Sequence, residues 1–280
     1  MNPLLLKKQL EHFFIEDLGE VDITAESSIV SNTKGKAYIK AKEDGVMAGR
    51  DLLTVGYQLL DPMITVTCHR GDGESFRKGD VIASLEGNII KLLAGERVIL
   101  NLMQRMSGIA TMTEKAIHAL DDKSIRICDT RKTTPGLRML EKYAVRCGGG
   151  FNHRRNLSDA ILLKENHLVA AGGIKQAVNT IREKIGHMVK VEVETTNEQE
   201  VREAIEAKVD VIMFDNASPD EIKDYVKLVP SGITTEASGG IHLGSLPSFN
   251  GCGVHYISLG CLTHSVQSID LSFLLEEGGL

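Results

Sequence analysis

Hydrophobic and polar positions along the chain follow two regimes. In the first, up to about residue 120, the pattern changes from element to element. Asn2-Pro3 has the form of an N-cap followed by proline in the first helical turn. Leu4, Leu5, Gln9, Phe13 and Leu18 then sit in an amphipathic helix that Gly19 ends. Residues 35–43 (GKAYIKAKE) alternate as a half-buried strand does. Residues 51–60 suit a helix, and residues 63–70 (MITVTCHR) are rich in the β-branched side chains that strands favour. Residues 71–87 read as two turns and a strand. Residues 91–120 carry a long helical pattern, with Leu92, Leu93, Val98, Ile99, Leu102, Met103 and Met106 on its apolar faces and an interruption near Ser107-Gly108. The first hundred residues thus predict a small α+β unit.

The second regime starts at residue 125. Short β-rich runs at 125–129, 160–164, 189–195, 209–215, 233–238 and 254–260 alternate with helical stretches at 135–147, 172–185, 197–207 and 219–229. Ser218-Pro219 and Asn197 are good helix starts. Such alternation argues for βα units around a parallel sheet. Several runs end on polar or small residues: Asp129-Thr130-Arg131-Lys132, Lys164, Glu194, Asp215, Ser238 and Gly260. In a (β/α) barrel the active site is built from the C-terminal strand ends. No dinucleotide-binding or P-loop glycine pattern supports an open doubly wound sheet. The fold class expected is α/β, with an incomplete (β/α) barrel.

Composition narrows the function. The chain has 280 residues, 42 % hydrophobic and 25 % charged, with net charge −6 and no tryptophan. It can bury a sizeable core, and it is poorly equipped to bind nucleic acid. Five cysteines, with no C-x-x-C pair, suit reduced thiols and a cytoplasmic protein. The N-terminus reads neither as a signal peptide nor as a membrane span. Against the overall acidity, residues 129–167 hold eight lysines and arginines and only four acids. Clustered cations of this kind concentrate and hold an anion. Gly148, Gly149 and Gly150 would let the backbone approach it.

Two groups of side chains converge on the expected rim. The cationic group is Arg131, Lys132, His153, Arg154 and Lys164, with Arg105 and Arg138 as additions. It suits a ligand with more than one anionic group. The acidic group is Glu194 and Asp215, able to hold Mg²⁺ with its waters or to stabilise a developing cation. Backbone N–H groups around Ser238-Gly239-Gly240 and Gly260 could cradle a phosphate. Other readings stand beside these. Glu194 also fits a solvent-facing strand position, Asp215-Asn216 a turn, His153 a packing role, and Lys164 a Schiff-base lysine in a barrel aldolase. No zinc-ligand spacing occurs.

A family resemblance rests on long motifs in order: ERVILNLMQRMSGIAT (96–111), DTRKTTPGLRMLEKYAVRCGGGFNHR (129–154), KENH (164–167), VEVET (191–195), FDN (214–216), EASGGI (236–241) and ISLGCLTHSV (257–266). In these the chain resembles the quinolinate phosphoribosyltransferases, also called nicotinate-nucleotide diphosphorylases (carboxylating), over nearly its whole length. The resemblance implies an N-terminal α/β sandwich domain (1–104), an incomplete α/β barrel catalytic domain (105–266), and a tail (267–280) packing back on the first. It implies phosphoribosyl transfer from 5-phosphoribosyl 1-diphosphate to quinolinate, with decarboxylation to nicotinate mononucleotide. It also implies Mg²⁺ and a homodimer with shared active sites. Quinolinate carboxylates would meet Arg105, Arg131, Lys132, His153, Arg154 and Lys164, with Arg105 reaching into the neighbouring subunit's site. Ribose and metal would meet Glu194 and Asp215. Thr130 and Ser258 border the same strand ends, and the phosphate loops match Ser238-Gly239-Gly240 and Gly260. Lys132, Glu194 and Asp215 are the expected catalytic residues. One departure is His255, where the family pattern has aspartate. A molybdenum-transport-associated paralogue shares some of the motifs, but the KENH and EVET contexts favour the quinolinate enzyme. A non-catalytic scaffold would need no such convergence of charges.

Overall fold

Strong local signals set the element boundaries in this computed structural model, which describes residues 1–276. The chain opens with α1 (Pro3–Leu18), α2 (Ile23–Ser28), β1 (Lys34–Ala41), β2 (Gly45–Val46), α3 (Arg50–Leu60), β3 (Thr65–Cys68), β4 (Ser75–Phe76), β5 (Val81–Asn88) and the 32-residue α4 (Ile89–Leu120). It continues with β6 (Arg126–Cys128), α5 (Arg138–Cys147), β7 (Ile161–Leu163), α6 (Glu165–Ala171), α7 (Ile174–Arg182), β8 (Val191–Thr195), α8 (Glu198–Glu206), β9 (Val211–Asp215) and α9 (Pro219–Leu228). It closes with β10 (Thr234–Ser238), β11 (Tyr256–Ser258), α10 (Cys261–His264) and β12 (Leu271–Leu275).

The described residues divide into two units. One comprises 1–114, 139–149 and 266 onward; the other comprises 115–138 and 150–265. The expected boundary at 104/105 differs from this at two places, because 105–114 and 139–149 group with the first unit. The last four residues of the expected tail lie outside the described residues.

In the first unit, an antiparallel sheet runs in the order β12-β1-β5-β3. β12 pairs with β1 from Ala37 opposite Leu275 to Ala41 opposite Leu271, so the tail does return to the N-terminal sheet. β1 buries Ala37, Ile39 and Ala41 on alternate positions, as its pattern predicts. The Asn2 side chain accepts from Leu4 N and Leu5 N and caps α1, and Gly19 ends it at φ 56°. The buried face of α1 is not the expected one. Leu6, Leu10 and Phe14 pack inward at i, i+4 and i+8, whereas Leu4 is 80 % exposed. Each such burial is worth roughly 1.5–3 kcal/mol. In a run of three leucines, periodicity alone leaves the inward face ambiguous.

The expected break at Ser107-Gly108 is absent, and α4 is continuous. Ser107 instead faces Ala48, whose N–H donates to its hydroxyl at 3.2 Å. A Cβ on Gly108 would collide with the Gln267 carbonyl oxygen. The pair therefore marks close packing, not a kink. Gly148 behaves alike, since a Cβ there would meet the Ala110 carbonyl. Gly148, the first of the three glycines, thus serves helix packing rather than approach to a ligand.

The second unit is a six-stranded sheet in the order β6-β11-β10-β9-β8-β7, parallel throughout. A parallel bridge from Cys128 to Phe151 extends the β6 edge. Among the described residues no ladder joins that edge to β7, so the barrel is open. Asn197 and Ser218 cap α8 and α9, and Glu221 completes a capping box with Ser218. His255, at the departure from the family pattern, accepts from Thr235 N through Nδ1 at 3.0 Å. It lies toward the N-terminal ends of β10 and β11, opposite the rim that carries the chemistry.

Candidate active site

Register and pleat together place the functional side chains. Neighbouring strands align Ser238 with Asp215, Glu194 with Met213 and Glu236 with Tyr256. Because side chains alternate between faces, Glu192 and Glu194 share one face, as do Met213 with Asp215 and Glu236 with Ser238. Tiers result. Asp215 and Ser238 occupy the strand ends; Glu194 and Glu236 lie level with Met213 one step deeper, with Glu192 beneath Glu194.

Over these tiers lies a cleft of about 350 Å³, lined by Thr130, Arg131, Lys132, His153, Arg154, Lys164, Glu194, Asp215, Ser238, Gly239 and Ser258 among others. Leu162 and Met213 give it an apolar patch. A recess of about 240 Å³ shares Thr130, Lys132, Ser238, Gly239 and Ser258 and adds Gly240, Gly260 and His264. Two expected residues lie elsewhere. Arg105 holds Glu141, a fully buried acid, through Nε at 2.9 Å and a terminal nitrogen at 2.7 Å. Arg138 donates to Thr133 Oγ1 at 2.9 Å and to the Arg155 carbonyl at 3.1 Å, which braces the loop instead of lining the cleft.

The cations are held by the fold. Buried Asp129, at the end of β6, accepts from Asn152 Nδ2 at 2.6 Å and His153 N at 2.9 Å. It thereby fixes the loop that presents His153 and Arg154. Arg154 donates to the Ala160 carbonyl at 2.8 Å. Nε of Arg131 and Nε of Arg154 are buried without a hydrogen-bond partner. Buried donors are rarely left unsatisfied, and here two on neighbouring guanidinium groups await an acceptor. Burial, and then the adjacent Arg131 charge, press the Arg154 pKa below its usual value. An anion in the cleft would relieve both stresses. Lys164 leaves β7 and forms an ion pair with Glu194. That half-exposed, ion-paired setting differs from the desolvated pocket that Schiff-base chemistry requires.

His153 differs from expectation. Its Nδ1 accepts the Arg154 backbone N–H at 2.8 Å, and its Nε2 lies 3.0 Å from Glu192 Oε2. A backbone amide only donates, so the ring proton sits on Nε2 and points at Glu192. His153 is therefore a neutral positioning group rather than a fifth cation. Glu236 lies on its far side, at 3.7 Å from Nε2, and accepts from Ser258 Oγ at 2.5 Å. The ligand atoms of His153, Glu192 and Glu236 come within 4.8 Å of one another. With its proton on Nε2, His153 is not a metal ligand in this arrangement. Glu192 and Glu236 were not singled out from the sequence. The available signal was a charged residue on the same strand face as Glu194 or Ser238, in a sheet whose strands are otherwise apolar.

Glu194 and Asp215 stand at or beside adjoining strand ends, partly exposed, and offer the carboxylate oxygens that Mg²⁺ takes. Asn216 follows in the left-handed region at φ 57° and donates from its amide to Asp215 Oδ2 at 2.8 Å. Gly239 takes φ 92°, and a Cβ there would strike the Asn216 side chain. Only glycine allows the backbone to turn into the cleft at this point.

The chain matches two family models: the quinolinate phosphoribosyl transferase N-terminal domain over residues 22–107 and the C-terminal domain over 109–274. It is 56 % identical over 272 residues to a probable nicotinate-nucleotide pyrophosphorylase [carboxylating] of Bacillus subtilis, covering 97 % of this chain and 94 % of that one. It is 39 % identical to the chloroplastic nicotinate-nucleotide pyrophosphorylase [carboxylating] of Arabidopsis thaliana, covering 97 % and 83 %. Among solved structures, NadC from Streptococcus pyogenes superposes with a TM-score of 0.95 at 38 % identity, covering 99 % of this chain and 98 % of that one. On motifs, fold and site alike, the chain belongs to the quinolinate phosphoribosyltransferase family.

Proposed function

We propose that the cleft joins quinolinate to the ribose of 5-phosphoribosyl 1-diphosphate and decarboxylates the product to nicotinate mononucleotide, as a nicotinate-nucleotide pyrophosphorylase (carboxylating) of NAD biosynthesis. One observation carries the reading. Arg131 and Arg154 present unsatisfied buried donors beside Lys132 and Lys164, facing Glu194 and Asp215 across one cleft. Arginine pairs with carboxylates through two parallel bonds, and two arginines match two carboxylates. The pyridine ring would rest on Leu162 and Met213, with its nitrogen toward ribose C1. Holding the partners in line supplies much of the rate. As the bond to diphosphate lengthens, positive charge develops on the ribose, and Glu194 and Asp215 stabilise it.

Glu194 and Asp215 would also hold Mg²⁺, directly or through water, and the ion would supply charge neutralisation for the leaving diphosphate. Lys132 adds a mobile charge on the same side. The Ser238-Gly239-Gly240 turn and Gly260 would take phosphate oxygens in the adjoining recess. Arg105, anchored by Glu141, would complete the site of a second subunit in a homodimer. The five free cysteines suit the cytoplasm. Among the described residues no helix is long and apolar enough to cross a membrane. Incubation with quinolinate, 5-phosphoribosyl 1-diphosphate and Mg²⁺ should release diphosphate and CO₂ in equal amounts. Diphosphate without CO₂, or neither, would defeat the reading.

A further inference from the structure

The cleft floor holds a carboxyl group that this mechanism does not yet use. Glu236 lines the cleft yet is only 5 % exposed. The groups facing it are Glu192 and Glu194 from β8, His153 from the loop fixed by Asp129, and Ser258 from β11. Two of these are acids, and the His153 ring proton is directed at Glu192. Among the described residues no lysine or arginine pairs with Glu236. Burial, then the Glu192 charge, push its pKa up to about 7, against the opposing influence of His153 and the Ser258 hydrogen bond. A dianion bound above adds further negative charge. A carboxyl group in such surroundings keeps its proton.

Decarboxylation needs a proton. When the bond between C2 of the pyridine and its carboxylate breaks, CO₂ leaves and the electron pair stays on C2, beside the cationic ring nitrogen. We propose that Glu236 is the general acid of this step: its O–H bond breaks, a C2–H bond forms, and Glu236 is left as a carboxylate that solvent reprotonates. The charges balance at each stage. Before the step a neutral Glu236 faces a dicarboxylate; after it an ionised Glu236 faces a pyridinium with one carboxylate fewer. Glu194 and Asp215 have other engagements: Glu194 is ion-paired with Lys164, and Asp215 accepts from the Asn216 amide. His153 holds its proton against Glu192, which makes it a positioning residue for this acid. The proposal rests on the reading of the cleft as the quinolinate site.

Glu236→Gln tests it with the near-isosteric amide. In rapid-quench experiments the variant should release a burst of diphosphate like the wild type. It should then accumulate the ribosylated dicarboxylate and form nicotinate mononucleotide about 10²-fold more slowly or worse, the usual loss for a general acid. Near pH 8 quinolinate binding should take up protons in the wild type and not in the variant, read by calorimetry in buffers of different ionisation heat. A burst followed by product at the wild-type rate, or equal proton uptake, overturns the assignment. If the wild type itself neither binds quinolinate nor releases diphosphate, the reading of the cleft fails instead. Should Glu236→Gln not fold or not reach the burst, Ser258→Ala decides. Losing that hydrogen bond should shift the alkaline limb of kcat to higher pH, and an unmoved limb overturns the proposal.

Discussion

At the residue scale the site separates groups that bind from groups that act on developing charge. In the proposed mechanism Glu194 and Asp215 face the ribose and metal, not the pyridine. Glu194→Gln and Asp215→Asn should therefore each lower kcat on the order of 10²-fold while changing quinolinate affinity far less, the signature of lost transition-state stabilisation. Steady-state kinetics beside equilibrium binding of quinolinate check this, and lost affinity with intact turnover would reassign them. Glu236 makes a separate prediction about stability. Its folded pKa is raised from the ordinary 4.5 to about 7, by burial first. Its contribution to stability is thus complete below pH 4.5 and is lost as pH rises through about 7. Glu236→Gln does not titrate there. The melting temperature of the variant relative to wild type should climb between pH 5 and 8, whereas a flat difference would show that Glu236 ionises without cost. Residues of these tiers were unequally legible. Asp215, Lys164 and Glu194 lie at or beside strand ends and announce themselves. Glu192 and Glu236 sit mid-strand, where only the register of the neighbouring strands shows that they meet. The neutrality of His153 depends on one backbone hydrogen bond that no spacing predicts.

At the scale of elements, the second unit was the more readable. Its strands end on polar residues and its helices start on Asn197 and Ser218, so local signals and tertiary demand agree. α1 shows the converse. Its caps were clear but its face was not, because Leu4, Leu5 and Leu6 are equally apolar and only packing selects Leu6. Ser107-Gly108 misled for a related reason: a glycine that admits a neighbouring chain looks the same in sequence as one that breaks a helix. The two meanings give opposite signs on mutation. Gly→Ala inside a helix ordinarily stabilises by about 1 kcal/mol. At Gly108 the new Cβ meets the Gln267 carbonyl, and overpacking costs roughly 1–3 kcal/mol. Gly108→Ala should be destabilised in chemical denaturation, and a stabilised variant would return this position to the reading as a helix defect.

At the scale of the whole molecule, the assignment of Arg105 joins the fold to its assembly. Arg105 does not line the cleft described above, and Glu141 holds it within the first unit. A two-fold dimer would let each subunit donate the same residue to the other. Arg105→Ala and Lys132→Ala homodimers should both be nearly inactive. Mixed dimers would carry one site with both defects and one with neither, and should recover close to half the wild-type activity. Verified mixed dimers as inactive as their parents would place Arg105 in the service of its own subunit. The charge of the cleft makes the broadest claim. Its cations exceed the need of one carboxylate, and leaving a buried charge unpaired costs roughly 2–5 kcal/mol. The most direct measurement is diphosphate release from 5-phosphoribosyl 1-diphosphate with quinolinate and with nicotinate as the acceptor. A kcat/KM for quinolinate at least about 30-fold above that for nicotinate corresponds to the lower end of that cost, and comparable values for the two acids would contradict a site built for a dicarboxylate.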